Sequence, residues 1–384
     1  MLRQGKVREK IKAGVDLVQL ENIDRVVQEA MDKKDIPGAV VLIARHGQVL
    51  WRKAYGYSQT YPMPWPMQVN MMFDMASVTK PVATATSIMI LTERGRLRLT
   101  DRVSDYVPEF SRYINPEDST EADDARIWHL LTHTSGLQPY TNAEVAADSL
   151  GNPCTTEALV QYIARLPKLN APGEEFHYSC LGFITLAYII KKVTGQDVNQ
   201  FSRENIFQPL GMTHTTFVPE KRLFPLCVPT EITNGRPLIG VVHDPLARLQ
   251  GGVSGNAGLF STADDLAKYA RMMMNGGELN GVRILSPVTV ARMIHIPDTP
   301  AKAKRGYGWV VKDGISWVGG DLLPDGGYGH TGYTGTSIWM DNNTDTFIII
   351  LTNRVHPEDD GSVSWLRSSI ANIVAGAIVE WEKH

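Results

Sequence analysis

The 384-residue chain carries 38 Lys and Arg against 41 Asp and Glu, a formal charge of −3, and 43% of its residues are apolar. That length buries a large core and exceeds the size at which one core keeps growing, so one composite domain or two interleaved ones are expected. Balanced charge without a basic run excludes a nucleic-acid footprint, and the longest apolar runs, such as "FIII" at 347–350, are far too short to span a bilayer.

The basic N-terminal stretch "LRQGKVREKIKAG" lacks the apolar segment of a secretory signal. The chain as written is expected to be soluble and cytoplasmic, or extracytoplasmic if a targeting segment once preceded Met1. "ENIDRVVQEAMDKK" then places Ile23, Val26, Val27 and Met31 at helical spacing, with "DIPG" as its stop. "AVVLIARHGQVLWRKAYG" predicts two strands around a His46-Gly47 turn. "TYPMPWPMQ" (60–68) is a proline-punctuated loop expected to line a cleft entrance.

"MFDMASVTKPVATA" follows, with Ser77 and Lys80 three residues apart in small, apolar surroundings. On a helix these two side chains share a face. Two readings stand side by side: a helix start with its lysine in solvent, or a nucleophile beside its proton partner.

From there to about residue 295 the pattern is mainly helical. "GFITLAYIIKKVTG" and "STADDLAKYARMMMNGG" both end in glycine, and the second opens with Ser/Thr three residues before Asp, a capping box. "PGEEFHYSCLGF" sets Tyr178 just ahead of a helix. Beyond residue 296, "RGYGWVVK", "GTSIWMD" and "TDTFIIILTN" predict strands, and "SWLRSSIANIVAGAIVEWEKH" a closing helix. "GYGHTGYTGTSIWM" (327–340) is glycine-rich and runs into a strand, which permits close backbone approach to a ligand. Strands at both chain ends imply an α+β fold: an antiparallel sheet flanked by the terminal helices, with an all-α insertion. Residues 1–76 and 296–384 would form the α/β part and 77–295 the helical part, with the active site at their junction.

Together these motifs resemble the serine β-lactamase and penicillin-binding-protein superfamily, on the side of class C enzymes, D,D-peptidases and family VIII carboxylesterases. The linking segments "IWHLLTHTSGL", "ENIFQPLGMTHT" and "AGLFSTADDL" extend the likeness along nearly the whole chain. The resemblance implies a β-lactamase/transpeptidase-like fold and a serine hydrolase working through an acyl-enzyme. In it Ser77 is the nucleophile, Lys80 its proton partner, and Tyr178 the tyrosine of the Y-x-N element. His330-Thr331-Gly332 stands where the family has K-T-G, and the backbone N–H groups of Ser77 and Tyr333 form the oxyanion hole. Two departures bear on substrate. Cys180 replaces the asparagine that holds an acylamide, and His330 replaces a lysine that holds a carboxylate. Both favour an esterase or D,D-carboxypeptidase with weak or no β-lactamase activity over a true class C-like β-lactamase. If His330 faces the cleft, its protonation should tighten binding of anionic substrates. A non-catalytic peptidoglycan- or penicillin-binding sensor is the alternative from another class.

Rival features carry less. His129 and His133 at i and i+4 lack the H-E-x-x-H glutamate of a zinc site, and no G-x-S-x-G occurs, which disfavours an α/β-hydrolase. Met272–Met274 reads as core or subunit packing, and His243-Asp244 as a hydrogen-bonded loop pair. Cys154, Cys180 and Cys227 form no C-x-x-C, so neither a zinc knuckle nor a disulfide framework is expected, which slightly favours the cytosol. No metal or cofactor is implied. The expected partner is a small-molecule or short-peptide substrate, not nucleic acid, and oligomeric state stays open.

Overall fold

The computed structural model describes residues 11–314 and 318–381; Met1, the first nine residues of the basic stretch and the last three of the predicted C-terminal helix lie outside them. Helix α1 (Asn22–Asp32) buries Ile23, Val26 and Val27, the stripe its spacing predicts. Strands β1 (Gly38–Arg45) and β2 (Gln48–Gln59) follow, joined at His46 and Gly47, both with positive φ. A two-residue strand, β3 (Trp65–Pro66), pairs with the end of β2. The remaining sheet strands come from the far end of the chain: β4 (Val310–Val311), β5 (Tyr328–Thr331), β6 (Ser337–Asp341) and β7 (Thr346–Thr352).

These seven strands form one antiparallel sheet in the order β4-β5-β6-β7-β1-β2-β3. Strand β1 is buried at all eight positions because both faces of the sheet are covered. Val41, Ile43, Ile348 and Ile350 face α1 and the C-terminal helix α5 (Ser364–Ala377), whereas Val40, Leu42, Ile349 and Leu351 face the helical segment. The period-2 alternation along each strand sends neighbouring residues into two separate cores.

The helical segment contains α2 (Thr86–Glu93), α3 (Cys180–Thr194) and α4 (Ala263–Met274). Helix α3 stops at Gly195 (φ 78), and Thr262 caps α4 by accepting from Asp265 N–H at 3.2 Å. Met272 and Met273 are fully buried within the core.

Two expectations need correcting. The insertion is not all-α: Leu259–Ser261 and Thr216–Phe217 form a small sheet with Phe73–Asp74 just ahead of it, built from strands too short to show a period. The closing helix stops at Ala377, because Val379 N–H turns away to bond Gly14 O at 2.9 Å and Ile378 bridges Val15. Among the described residues no helix is long and apolar enough to cross a membrane.

Candidate active site

Ser77 and Lys80 owe their contact to an unusual piece of backbone. The chain leaves Phe73–Asp74, makes a left-handed step at Ala76 (φ 45), and enters a 3-10 turn at Ala76–Val78. A π-helical stretch, Lys80–Ala85, then runs into α2. Such wide turns recur at functional sites. Here the result is that Lys80 Nζ donates to Ser77 Oγ at 2.8 Å.

Lys80 is 0% exposed. Its Nζ also donates to Asn256 O at 3.1 Å and to Cys180 Sγ at 3.4 Å. An ammonium has three hydrogens, and three acceptors surround it. Burial works against this charge, yet the pKa lies above the ordinary lysine value, because Cys180, Tyr178 and Asp244 favour the ammonium. Of the three cysteines, all free, only Cys180 is not fully buried.

Tyr178 is pinned through its neighbours. His177 N–H donates to His133 O at 3.0 Å, Ser179 N–H to His133 Nδ1 at 2.9 Å, and Cys180 N–H to Pro139 O at 2.9 Å. Ser179 also caps α3, accepting from Gly182 N–H. The Tyr178 ring lies 4.4 Å from the His133 ring and 5.0 Å from Lys80 Nζ. His133 therefore serves Tyr178 as a packing surface. His129, its i+4 neighbour, turns its Nδ1 to Arg126 N–H at 2.9 Å, so the two rings serve different backbone segments.

Strand β5 and the turn after it form the facing wall. Gly332 sits where a Cβ would run into Met75 O and the Thr336 hydroxyl, so only glycine allows this approach to the Ser77 segment. The turn is closed by Gly332 N–H to Thr336 O and Gly335 N–H to Gly332 O, neither of which uses the Tyr333 amide. Arg367, from α5, donates to Gly332 O at 3.2 Å and Thr336 O at 2.8 Å; burial lowers its pKa to about 9. Tyr333 Oη donates to Asp359 at 2.6 Å, and Arg354 lies 4.5 Å over its ring.

His330 is 2% exposed. Its Nδ1–H donates to Thr331 O at 2.8 Å, which leaves the lone pair on Nε2, buried without a protein partner. Burial first, then Arg305 and Lys80, push its pKa well below the ordinary histidine value. At neutral pH His330 therefore presents an acceptor, which does not hold a carboxylate. The groups meet in a cleft of about 490 Å³ lined by Ser77, Tyr178, Arg305, His330, Thr331 and Tyr333, among others. No residue of the 60–68 loop lines it. Tyr61 borders a neighbouring hollow with Asp359, because Thr60 N–H is drawn to His356 Nε2 at 3.0 Å.

Two residues around the site, Asn256 beneath Lys80 and Arg305 in the cleft wall, carry no signal in the motifs. Asn256 meets Lys80 through its carbonyl, which every residue possesses. The available clue was "SGNAG", small residues that let the loop touch Thr79 and Thr84: Leu259 N–H donates to Thr79 Oγ1 at 3.1 Å and Thr84 Oγ1 to Gly255 O at 2.8 Å. Arg305 comes from the aperiodic stretch "AKAKRGYG". Its guanidinium lies 5.4 Å over Tyr178 and 5.3 Å over Phe176, and its Nη1 is buried without a partner.

Comparison with known proteins identifies the family. The family model described as Beta-lactamase matches residues 23–372. The Escherichia coli K12 "putative D-alanyl-D-alanine carboxypeptidase" is 31% identical over 372 residues, covering 90% of this chain and 84% of that one. Among solved structures, EstCE1, a hydrolase with promiscuous acyltransferase activity, superposes with TM-score 0.77 at 26% identity, covering 94% of this chain and 99% of that one. The octameric penicillin-binding protein homologue of Pyrococcus abyssi gives TM-score 0.68 at 25% identity, over 91% and 75% of the two chains. The chain belongs to the beta-lactamase family and is a serine hydrolase.

Proposed function

We propose that Ser77 is the nucleophile of an acyl-enzyme mechanism whose acyl donor carries a carboxylate beside the scissile bond, as a D,D-peptide does. The observation that carries this reading is Lys80 Nζ at 2.8 Å from Ser77 Oγ, with all three of its hydrogens engaged. A lysine in that state has no lone pair for the serine proton. Tyr178, packed against the same ammonium, is the group assigned to receive it and return it to the leaving group. The developing oxyanion is held by the N–H groups of Ser77 and Tyr333, each such donor contributing ~3 kcal/mol to the barrier.

The substrate class follows from charge. Arg305 lines the cleft and its Nη1 is buried without a partner, and a carboxylate is the group that satisfies a guanidinium. The name carried by the Escherichia coli relative supports the same class. A carboxylesterase is the second reading, favoured by Cys180, whose thiol offers no amide to hold an acylamino side chain, and by the likeness to EstCE1. Both readings place β-lactams last.

The test is a panel of a D-Ala-D-Ala-terminated peptide, p-nitrophenyl butyrate and nitrocefin, run on wild type and Arg305→Gln. The carboxylate reading requires Arg305→Gln to raise KM for the peptide about tenfold or more, the worth of a charge-assisted bond, and to leave the ester's KM unchanged. Equal effects on both would remove Arg305 from substrate recognition. A kcat/KM for nitrocefin above that for the ester would restore the β-lactamase reading.

A further inference from the structure

The two oxyanion amides come from segments some 250 residues apart in the chain, Ala76–Ser77 and Gly332–Tyr333. Catalysis by such donors requires them to be held in place before the charge develops. One residue reaches both segments. Asp74, 2% exposed, lies at the end of the short strand Phe73–Asp74. Its Oδ1 accepts from Ala76 N–H at 2.8 Å, across the left-handed step that turns the chain into Ser77. Its Oδ2 accepts from His243 N–H at 2.7 Å, and the His243 ring stacks on Tyr333 at 5.6 Å between centroids. Its main-chain oxygen accepts from the Thr334 hydroxyl at 2.7 Å, one residue past Tyr333.

We propose that Asp74 is the positioning residue that registers the two halves of the oxyanion hole, its carboxylate fixing the Ala76 turn on one side and the His243 support under Tyr333 on the other. This rests on the reading of Ser77 as nucleophile. Asp74 touches neither Lys80 nor the cleft, so it acts only through the backbone it holds. The position calls for a carboxylate in particular. Two backbone N–H groups approach two different oxygens, and an asparagine would turn its own NH₂ towards one of them. An alanine at positive φ persists only where its surroundings hold it there, and the Oδ1 bond supplies that hold. Burial disfavours the charge and raises the pKa of Asp74, while the two amides work in the opposite sense.

The experiment compares wild type, Asp74→Asn and Thr334→Val as full-length chains. Four quantities are read: the rate of fluorophosphonate labelling at the Ser77 peptide, kcat and KM for p-nitrophenyl butyrate, and the melting temperature. Loss of oxyanion register should slow labelling and kcat about 10²-fold in Asp74→Asn, with KM within twofold of wild type, since acylation and deacylation both pass through the oxyanion. Thr334→Val, which removes one neutral hydrogen bond, should lose roughly threefold to tenfold in kcat with the same constancy of KM. A folded Asp74→Asn that labels at the wild-type rate overturns the inference. If Asp74→Asn does not fold, a Thr334→Val of wild-type kcat overturns it instead. A wild type that takes no label at Ser77 overturns the nucleophile assignment, and the inference with it; that outcome is distinct from a labelled wild type with unchanged variants.

Discussion

At the scale of single residues, the account turns on a proton shared among Lys80, Tyr178 and Ser77. Removing the amine or the phenol should slow acylation ~10²- to 10⁴-fold, as loss of an acid–base group does. Because both serve one proton path, Lys80→Ala with Tyr178→Phe should be little worse than the worse single variant, which burst kinetics on an aryl ester can measure. Fully additive losses would contradict a shared path. His330 leads to a prediction by its neutrality. Its pKa lies well below the ordinary value, so KM for a carboxylate-bearing substrate should stay flat as pH falls from about 7.5 to about 5.5, in wild type and in His330→Gln alike. A tightening in wild type alone would return the charge to the imidazole. The residues legible in the sequence were those whose side-chain chemistry is rare at their spacing: Ser77, Lys80, Tyr178 and the His330–Tyr333 run. Asn256 and Asp74 were hidden for a physical reason, since the first works through its carbonyl and the second through backbone amides, and neither role leaves a pattern of residue types.

Among the elements, the long and periodic ones were readable and the short ones were not. Helices α1, α3 and α4 announce themselves by apolar stripes and caps, and β1, β2, β6 and β7 by alternation. Strand β4 keeps only two residues, Val310 and Val311, because it is the outermost strand beside β5 and pairs on one side alone. The end of α5 was misjudged because its stop is tertiary: Val379 N–H bonds Gly14 rather than continuing the helical ladder. The tightest meeting of elements lies where the Ser254–Gly258 loop crosses α3. A Cβ on Gly255 would run into the Phe183 carbonyl, a backbone atom that cannot swing aside. Gly255→Ala should therefore cost about 1–3 kcal/mol of stability by overpacking. The same shift should draw Asn256 O away from Lys80 and lower kcat, as urea unfolding and an ester assay on one sample would reveal. Full stability with full activity would mean the loop has slack that the structure does not show.

For the whole molecule, three buried histidines couple stability to pH. His129, His133 and His330 all have pKa values lowered by burial, His129 to about 4. A group whose folded pKa is depressed contributes stability that is present above its unfolded pKa, ~6.5 for histidine, and is lost as pH falls towards the folded value. Stability should accordingly drop between pH 7 and pH 5, with His129 alone responsible for about 2 kcal/mol, and His129→Gln should flatten that share of the slope in urea midpoints. An unchanged slope would mean that His129 titrates normally. The central claim, that this fold exists to acylate Ser77, is tested most directly by mass spectrometry of the protein quenched during turnover of a slow ester. The account predicts an acyl adduct confined to the peptide containing Ser77, absent from Ser77→Ala, which should also be inactive while keeping its melting temperature. An adduct on another residue, or hydrolysis that survives in Ser77→Ala, would contradict it.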